Sequence, residues 1–195
     1  MAKTYEDVAK LRQTELNFAN VHQFYVVIDR LPEIVFTCQR VQLGSLNAGE
    51  AQLSNRFNIN RMVPGESLDY GVVSLDFIVT QDFSNYRSIL EWIKGSVRPE
   101  SFQQGEDYIN SVTKFYDNGK DFKELFSDMT VIATDAADRP MCQWNMKNCH
   151  PVSLENPSFD STVTDVNYLT SNVTFSYLYF EHQTYTNGAI NNNKI

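Results

Sequence analysis

No stretch of the 195 residues runs to eighteen consecutive apolar side chains, which excludes a membrane-crossing helix of ordinary length. The charged opening MAKTYEDVAKLRQ lacks the apolar run of a secretory signal, so the expectation is a soluble protein made in the cytosol. Cysteine is scarce and odd in number. Cys38, Cys142 and Cys149 are too few and too far apart for a disulfide framework, and free thiols are the preferred reading. Basic residues are outnumbered, 16 against 24 acidic, and the net charge of −8 argues against gripping nucleic acid by neutralising phosphates. No Gly-rich phosphate loop, GxSxG elbow or HExxH helix is present.

What the chain does have is core material. Hydrophobic residues make up 42% and aromatics 13%, enough for one well-packed domain of this length and too much for wholesale disorder. Residues 72–95, VVSLDFIVTQDFSNYRSILEWIKG, organise the rest. Val73, Leu75, Phe77 and Val79 alternate with Ser74 and Asp76 as in a half-buried strand. After Gln81 the period changes. Asp82 can cap a helix whose apolar stripe is Phe83, Tyr86, Leu90 and Ile93, widened by Ile89, and Gly95 supplies a stop. Trp92 lies off that stripe, as a core flank in preference to an exposed platform.

Taken in order, residues 4–16 can form a marginal helix, and FYVVI at 24–28 and IVFTCQRVQL at 34–43 read as strands joined most simply by a hairpin around Pro32. Residues 44–71 combine four glycines and a proline with Leu46, Leu53, Phe57, Ile59 and Met62. This pattern suits an extended arm that buries those side chains on another subunit, or equally a long hairpin packed on its own domain. Residues 96–128 read as an insertion. Two strands follow at 129–134 and 141–146 around a turn at 136–140, then a Pro-punctuated loop from residue 147, then NVTFSYLYF at 172–180 as one strong strand. The Asn-rich end is a flexible tail. The organisation expected is a leader over 1–20, a single domain over 21–186 and a tail over 187–195. The fold class expected is mainly β (α+β): an antiparallel sandwich or flattened barrel, one flanking helix and a long hairpin arm.

Chemistry-bearing residues are few. Cys142, Cys149 and His150 have metal-ligand side chains at an unusual spacing with no obvious fourth ligand, so no metal site is assigned. Asp135 with Asp138, and Asp160 with Asp165, could pair as acid and base, but aspartate is the ordinary turn residue and both pairs sit in turns. The Asn172-Val173-Thr174 triplet has the pattern of a glycosylation acceptor and is read as the start of a strand.

Three segments in this order, FYVVIDRLPEIVFTCQRVQL, LDFIVTQDFSNYRSILEWIKG and CHPVSLENPSFDSTVTDVNYLTSNVTFSYLYF, resemble the tail-tube protein family of contractile-tailed bacteriophages. The second matches the family's strand followed by an acidic residue and an aromatic-rich helix, at Asp82, Phe83, Tyr86, Ile89 and Trp92. The third is similar to its closing pattern, in which the loop from Pro151 to Leu154 leads to Asp160 and an aromatic strand. The leader, the insertion and the tail depart from the shortest members.

The resemblance implies a β-sandwich flanked by a helix, six copies closing into a ring, and rings stacked into a hollow tube through which DNA passes without specific binding. It further implies sheath and baseplate or neck partners, a place in the virion tail after synthesis in the bacterial host cytoplasm, and no catalytic step, cofactor or membrane. The related tubes of type VI secretion and contractile injection systems, and a tube-end ring at the baseplate or neck, are the alternatives within the family. Outside it, the alternative is a small β-rich binding domain.

Overall fold

The structure, a computed structural model, describes residues 23–32, 34–54, 60–97, 103, 125–160, 162, 167–186 and 189–191. The leader, most of the insertion, Phe57, Ile59 and Asp165 lie outside these residues. In chain order the elements are β1 (Phe24–Ile28), a helical turn α1 (Ile34–Thr37), β2 (Cys38–Gln42), β3 (Leu46–Ser54), β4 (Asn60–Tyr70), β5 (Val73–Ile78), α2 (Ser84–Val97), β6 (Ser127–Thr134), β7 (Pro140–Leu154), β8 (Thr170–Ser176), β9 (Tyr179–Thr186) and β10 (Ala189–Asn191). Every pairing among the strands is antiparallel.

Two sheets share one long strand. Along Cys142–Lys147, β7 lies between β6 and β9, in a sheet ordered β1-β6-β7-β9-β10. From His150 it pairs with β8, in a second sheet ordered β2-β5-β8-β7. The crossing falls at Asn148, whose φ of 55° is a left-handed value that asparagine tolerates better than most residues. The chain crosses back beside it, where Leu178 N donates to Lys147 O at 3.0 Å. The fold is therefore a sandwich whose halves are joined through β7, and β1 and β2 do not pair to close a barrel.

The inner faces carry the core expected of alternating strands: Val26 and Ile28 from β1, Val73, Leu75 and Phe77 from β5, Val173 and Phe175 from β8. On the other side of the second sheet, Arg40, Asp76 and Asn172 stand abreast, as do Gln42, Ser74 and Thr174. Asn172 Nδ2 donates to Ser74 Oγ at 2.7 Å and to Asp76 Oδ1, and Arg40 reaches Asp76 at 3.8 Å. Asn172 thus sits within a strand as a cross-strand amide.

Helix α2 follows β5 as the sequence implies, but its buried face is rotated. Asn85, Ile89, Trp92 and Gly95 are buried, whereas Tyr86, Leu90 and Ile93 are half-buried and Phe83 is exposed. The reason is a polar residue. Asn85 Nδ2 donates to Ile78 O at 2.8 Å, while its Oδ1 accepts from Thr80 N and Thr80 Oγ1, both at 3.2 Å. These bonds satisfy the strand end that the turn leaves exposed, so a buried asparagine begins the stripe. Phe83 stands outside the helix at φ 56°, and Asp82 Oδ1 accepts from Ser84 N at 3.3 Å and Ser84 Oγ at 3.1 Å. Those bonds, with the Thr80 hydroxyl as the largest influence, hold the Asp82 carboxyl below its usual range. Trp92 is wholly buried: its Nε1 donates to Leu125 O at 2.8 Å and its ring lies 5.8 Å from that of Phe175. Gly95 lies on the buried face and does not end the helix, which continues to Val97.

Other expectations need correction. The join between β1 and β2 is not a hairpin: consecutive turns (Leu31 N to Ile28 O, Ile34 N to Leu31 O) bury Leu31 and Ile34 and carry the chain to the other sheet, so residues 34–37 are helical. Residues 147–154 continue β7 instead of forming a loop, because Pro151 lies at the margin of the second sheet, where a strand tolerates a missing donor. Residues 172–180 are two strands, broken at Tyr177–Leu178 by the crossing between sheets. In the Asn-rich end, Ala189–Asn191 pairs with β9.

Asn85→Ala should cost about 2–4 kcal/mol in urea unfolding, because the Ile78 carbonyl and the Thr80 amide lose their partner inside the protein. Phe83→Gly should stay within about 1 kcal/mol of the parent, since relief of the left-handed conformation offsets the lost contacts and the added chain entropy. An Asn85→Ala protein as stable as the parent would show that water replaces the amide.

Candidate assembly surfaces

The arm is the outward continuation of the β2–β5 pair. Arg40 faces Asp76, Val41 faces Leu75 and Gln42 faces Ser74. Past a short gap the same register resumes with Leu46 opposite Tyr70 and Ala48 opposite Leu68. Gly71 N donates to Ser45 O at 2.9 Å and carries the ladder through the gap. One ribbon therefore begins inside the sandwich and leaves it as a separate two-stranded sheet, β3-β4.

The neck of this ribbon requires glycine. A Cβ on Gly44 would stand 2.5 Å from Val72 O, and one on Gly71 would stand 2.9 Å from Ser45 N and O. Side chains four apart in a regular strand share a face, yet Ser74 lies on the polar face while Tyr70 packs on the core side. The ribbon thus turns over at the neck. Tyr70 anchors its root, with ring centroids 6.0 Å from Tyr177 and 5.6 Å from Phe180 at the crossing between sheets.

Beyond the neck the arm has apolar side chains that no other described part of the chain covers. Leu46 is 51% exposed, Leu53 56%, Met62 61% and Leu68 50%. Ala51 and Val63 face each other next to Leu53, while Met62 faces Gln52 on the other side of the ribbon. Of the two arrangements open from the sequence, the described part of the arm is a hairpin that is not packed on its own body. Leu75, Phe77 and Val79 are buried in the body, Tyr86 and Leu90 lie half-buried on the helix, and Phe83 is at the surface.

Among the described residues the second sheet also has two open margins. β2 pairs with β5 on one side only, and the β7 segment from His150 to Leu154 pairs with β8 on one side only. Val152 lies in a bulge there, unpaired between Pro151↔Phe175 and Ser153↔Thr174, and is 57% exposed. Unpaired strand margins are templates for another chain. Sequence reasoning missed this site because Pro151 and Pro157 punctuate a polar run as a loop would; the alternation of buried Cys149 and Pro151 with half-buried His150 between them was the available signal.

Residues with reactive side chains are otherwise employed. Asp135 Oδ1 accepts from Ala137 N and Arg139 N at 2.8 and 2.9 Å, and its Oδ2 accepts from the Arg139 guanidinium at 2.8 Å, closing the β6–β7 turn. Asp138 accepts from Tyr25 Oη at 2.9 Å, which raises the Tyr25 phenol above its ordinary value. Asp160 Oδ1 accepts from Thr162 N at 2.8 Å. His150 rests edge-on to Phe126, at 5.5 Å between ring centroids. Among the described residues no three His, Cys, Asp or Glu side chains come together as a metal site.

All three cysteines are free. Burial pushes the Cys149 thiol up to about 12 and the Cys38 thiol to about 11, and raises Cys142. The thiolate is the reacting form, and a thiol with a pKa near 12 is thiolate in only about one molecule in ten thousand at pH 8. A pulse of iodoacetamide at pH 8, read by peptide mass spectrometry, should therefore label Cys142 first, Cys38 more slowly and Cys149 only after unfolding. Labelling of Cys149 at the rate of Cys142 in the folded protein would contradict this placement.

No protein-family model and no curated protein matches the sequence. Solved structures do match. A chain of the 6-fold symmetrised cryo-EM structure of the anti-feeding prophage (AFP) baseplate aligns with a TM-score of 0.59 at 15% identity, over 86% of this chain and 96% of that one. A chain of the AFP tube terminating cap gives 0.60 at 17%, over 87% and 93%. A chain of the extended sheath-tube complex of the extracellular contractile injection system PVC gives 0.56 at 17%, over 94% and 100%. Identities this low carry architecture alone, but they carry it over nearly the whole of both chains. The protein has a tail-tube-like fold, a β-rich sandwich with one long helix among the described residues, which it shares with these chains of contractile injection system assemblies.

Proposed function

We propose that this chain is a structural subunit of a contractile-tail tube, assembling as hexameric rings that stack into a hollow conduit for DNA delivery. The observation that carries this reading is the second sheet with its two open margins. Its order β2-β5-β8-β7 is antiparallel throughout and even in number, so β7 of one copy meets β2 of the next in antiparallel sense. A ring of copies would then be one closed sheet with every backbone donor satisfied and no exposed edge. A head-to-tail contact of this kind closes only as a ring. Six copies, a sheath outside and a baseplate or neck at the ends are supplied by the family resemblance, as is residence in the virion tail.

The polar face of that sheet would line the conduit. Its side chains are Gln42, Ser74, Asn172 and Thr174 together with the mutually neutralising Arg40 and Asp76. Such a wall offers phosphates no unpaired cation to stick to among these residues, so the chain's excess acidity need not be in the lumen for DNA to slide. The mechanism is assembly, with no bond made or broken.

A second reading is favoured by the likeness to chains from a baseplate and a tube terminating cap. There the subunit would form one specialised ring at the end of a tube, of a phage or of an injection system that carries protein. Copy number per particle separates the two readings.

Negative-stain electron microscopy of the purified protein, across protein and salt concentrations and with candidate sheath and baseplate partners added, should show rings and hollow tubes. Val152→Pro, which alters a bulged residue outside the β7–β8 ladder and removes a donor from the open margin, should leave the fold intact by circular dichroism and abolish rings. Monomers under every condition would sink the tube reading; rings that never lengthen would favour the tube-end ring.

A further inference from the structure

The polar face of the second sheet carries its charges at fixed heights. Strand pairing sets Arg40 of β2 beside Asp76 of β5, and Asp76 beside Asn172 of β8. Past the end of β7 the ladder runs one step further, where Glu155 N donates to Asn172 O at 2.8 Å. Leu154 packs on the core, so Glu155, the next residue of an extended chain, belongs to the polar face, and it is exposed. One row therefore crosses the whole sheet: Arg40, Asp76, Asn172, Glu155. It begins with a cation at one open margin and ends with a carboxylate at the other. The row beside it, Gln42, Ser74, Thr174 and Ser153, is neutral throughout. Over the margin residues 38–42 and 150–155, Arg40 and Glu155 are the only Lys, Arg, Asp or Glu side chains.

Both charges are placed to reach across a margin. Ser171 Oγ donates to Glu155 O at 2.6 Å and Tyr86 Oη donates to Asn156 Oδ1 at 2.8 Å, so the backbone that carries the carboxylate is held. The Arg40 side chain is 73% exposed, and its Nη1 stands 3.8 Å from Asp76, an ion pair too long for a hydrogen bond. A guanidinium has five N–H donors in a fork that suits a second carboxylate. Setting a second copy beside the first in the same orientation brings a β2 margin to a β7 margin. Backbone bonds alone fit several registers, because a slip by two residues repeats the ladder and keeps each face on its own side. The charges tell these registers apart. With the rows level, Arg40 lies between its own Asp76 and Glu155 of the second copy; a slip by two sets it beside neutral Ser153 or beyond the strand. An exposed ion pair adds little affinity, but it selects among contacts that are otherwise alike.

We propose that Arg40 of one copy pairs with Glu155 of a second copy across the open margins, and that this pair fixes the register in which the margins join. The inference rests on the ring reading above and names the residues that decide its lateral contact. Arg40→Glu and Glu155→Arg, each alone, set like charges together, and each should raise the protein concentration at which rings appear in sedimentation velocity about tenfold or more, with circular dichroism unchanged. An equimolar mixture should assemble near the parent concentration, because the two variants alternating round a ring of even number oppose a carboxylate to a guanidinium at every contact. Mixing would not rescue a variant whose defect lay in the Arg40–Asp76 pair within one copy. A mixture no better than either variant, or single variants that assemble like the parent, would overturn the pair and leave the ring reading standing. If the parent protein forms no rings, that reading fails. In that case, or if Arg40→Glu does not fold, a photo-crosslinking residue in place of Ser153 decides the pair at high protein concentration. Level rows put it against Gln42, so capture of Gln42 of a second copy supports the register, and capture of any other segment, or of none, overturns it.

Discussion

Strand β5 is the constraint on which the rest depends. Val73, Leu75 and Phe77 enter the core from one face while Ser74 and Asp76 join the polar face, and both of its margins are paired, with β2 and with β8. A strand fixed on two faces and two margins cannot slip by one residue without exposing its apolar set. Its neighbours in sequence inherit that fixity. At its start the ribbon crosses the glycine neck and becomes the arm, and at its end Asn85 ties Ile78 and Thr80 to the first turn of α2. Arm, sheet and helix are therefore aimed by one segment of chain.

That segment was also the most legible part of the sequence, for the same reason: a strand held on one apolar face must alternate, and alternation is visible without a structure. The helix after it was visible, but its face was not. The apolar stripe through Phe83, Tyr86, Leu90 and Ile93 is real on a helical wheel, yet the buried stripe starts from Asn85, whose amide completes a strand end. Polar burial chosen for backbone satisfaction leaves no hydrophobic signal. Trp92 shows the reverse case, a residue off the apparent stripe that the rotation brings to the centre.

The sheet crossings were illegible for a different reason. Residues 172–180 alternate without interruption, and nothing in their composition marks the corner at Tyr177–Leu178, because the corner is made by Lys147 on another strand. The open margin of β7 was hidden likewise: Pro151 and Pro157 punctuate the sequence as a loop would, and only the pairing with β8 makes the first of them a strand residue. Long-range pairing decides such positions, and local composition carries little of it. The arm lay between these extremes. Its apolar side chains and glycines marked it as extended and in need of cover, while nothing in its own composition says which surface covers it.

The arm and the margins pose the same physical problem at two scales. An unpaired margin leaves backbone donors and acceptors unsatisfied, and an uncovered ribbon leaves apolar side chains in water. Neither is remedied by the other described residues of one copy, because the body is already closed on its inner faces. In the proposed tube the lateral contact would satisfy backbone polarity, whereas covering the arm would bury side chains, so the two would respond differently to conditions. Closing a ring is directional and tolerates salt, since the pairing is between neutral backbone groups. Covering the arm would be apolar beside the like charges of Glu50, Glu66 and Asp69, so salt that screens them would favour it. A subunit built this way would have its margins closed by backbone pairing and its arm by side-chain burial, two contacts that a proline in the margin and a polar residue on the arm would separate.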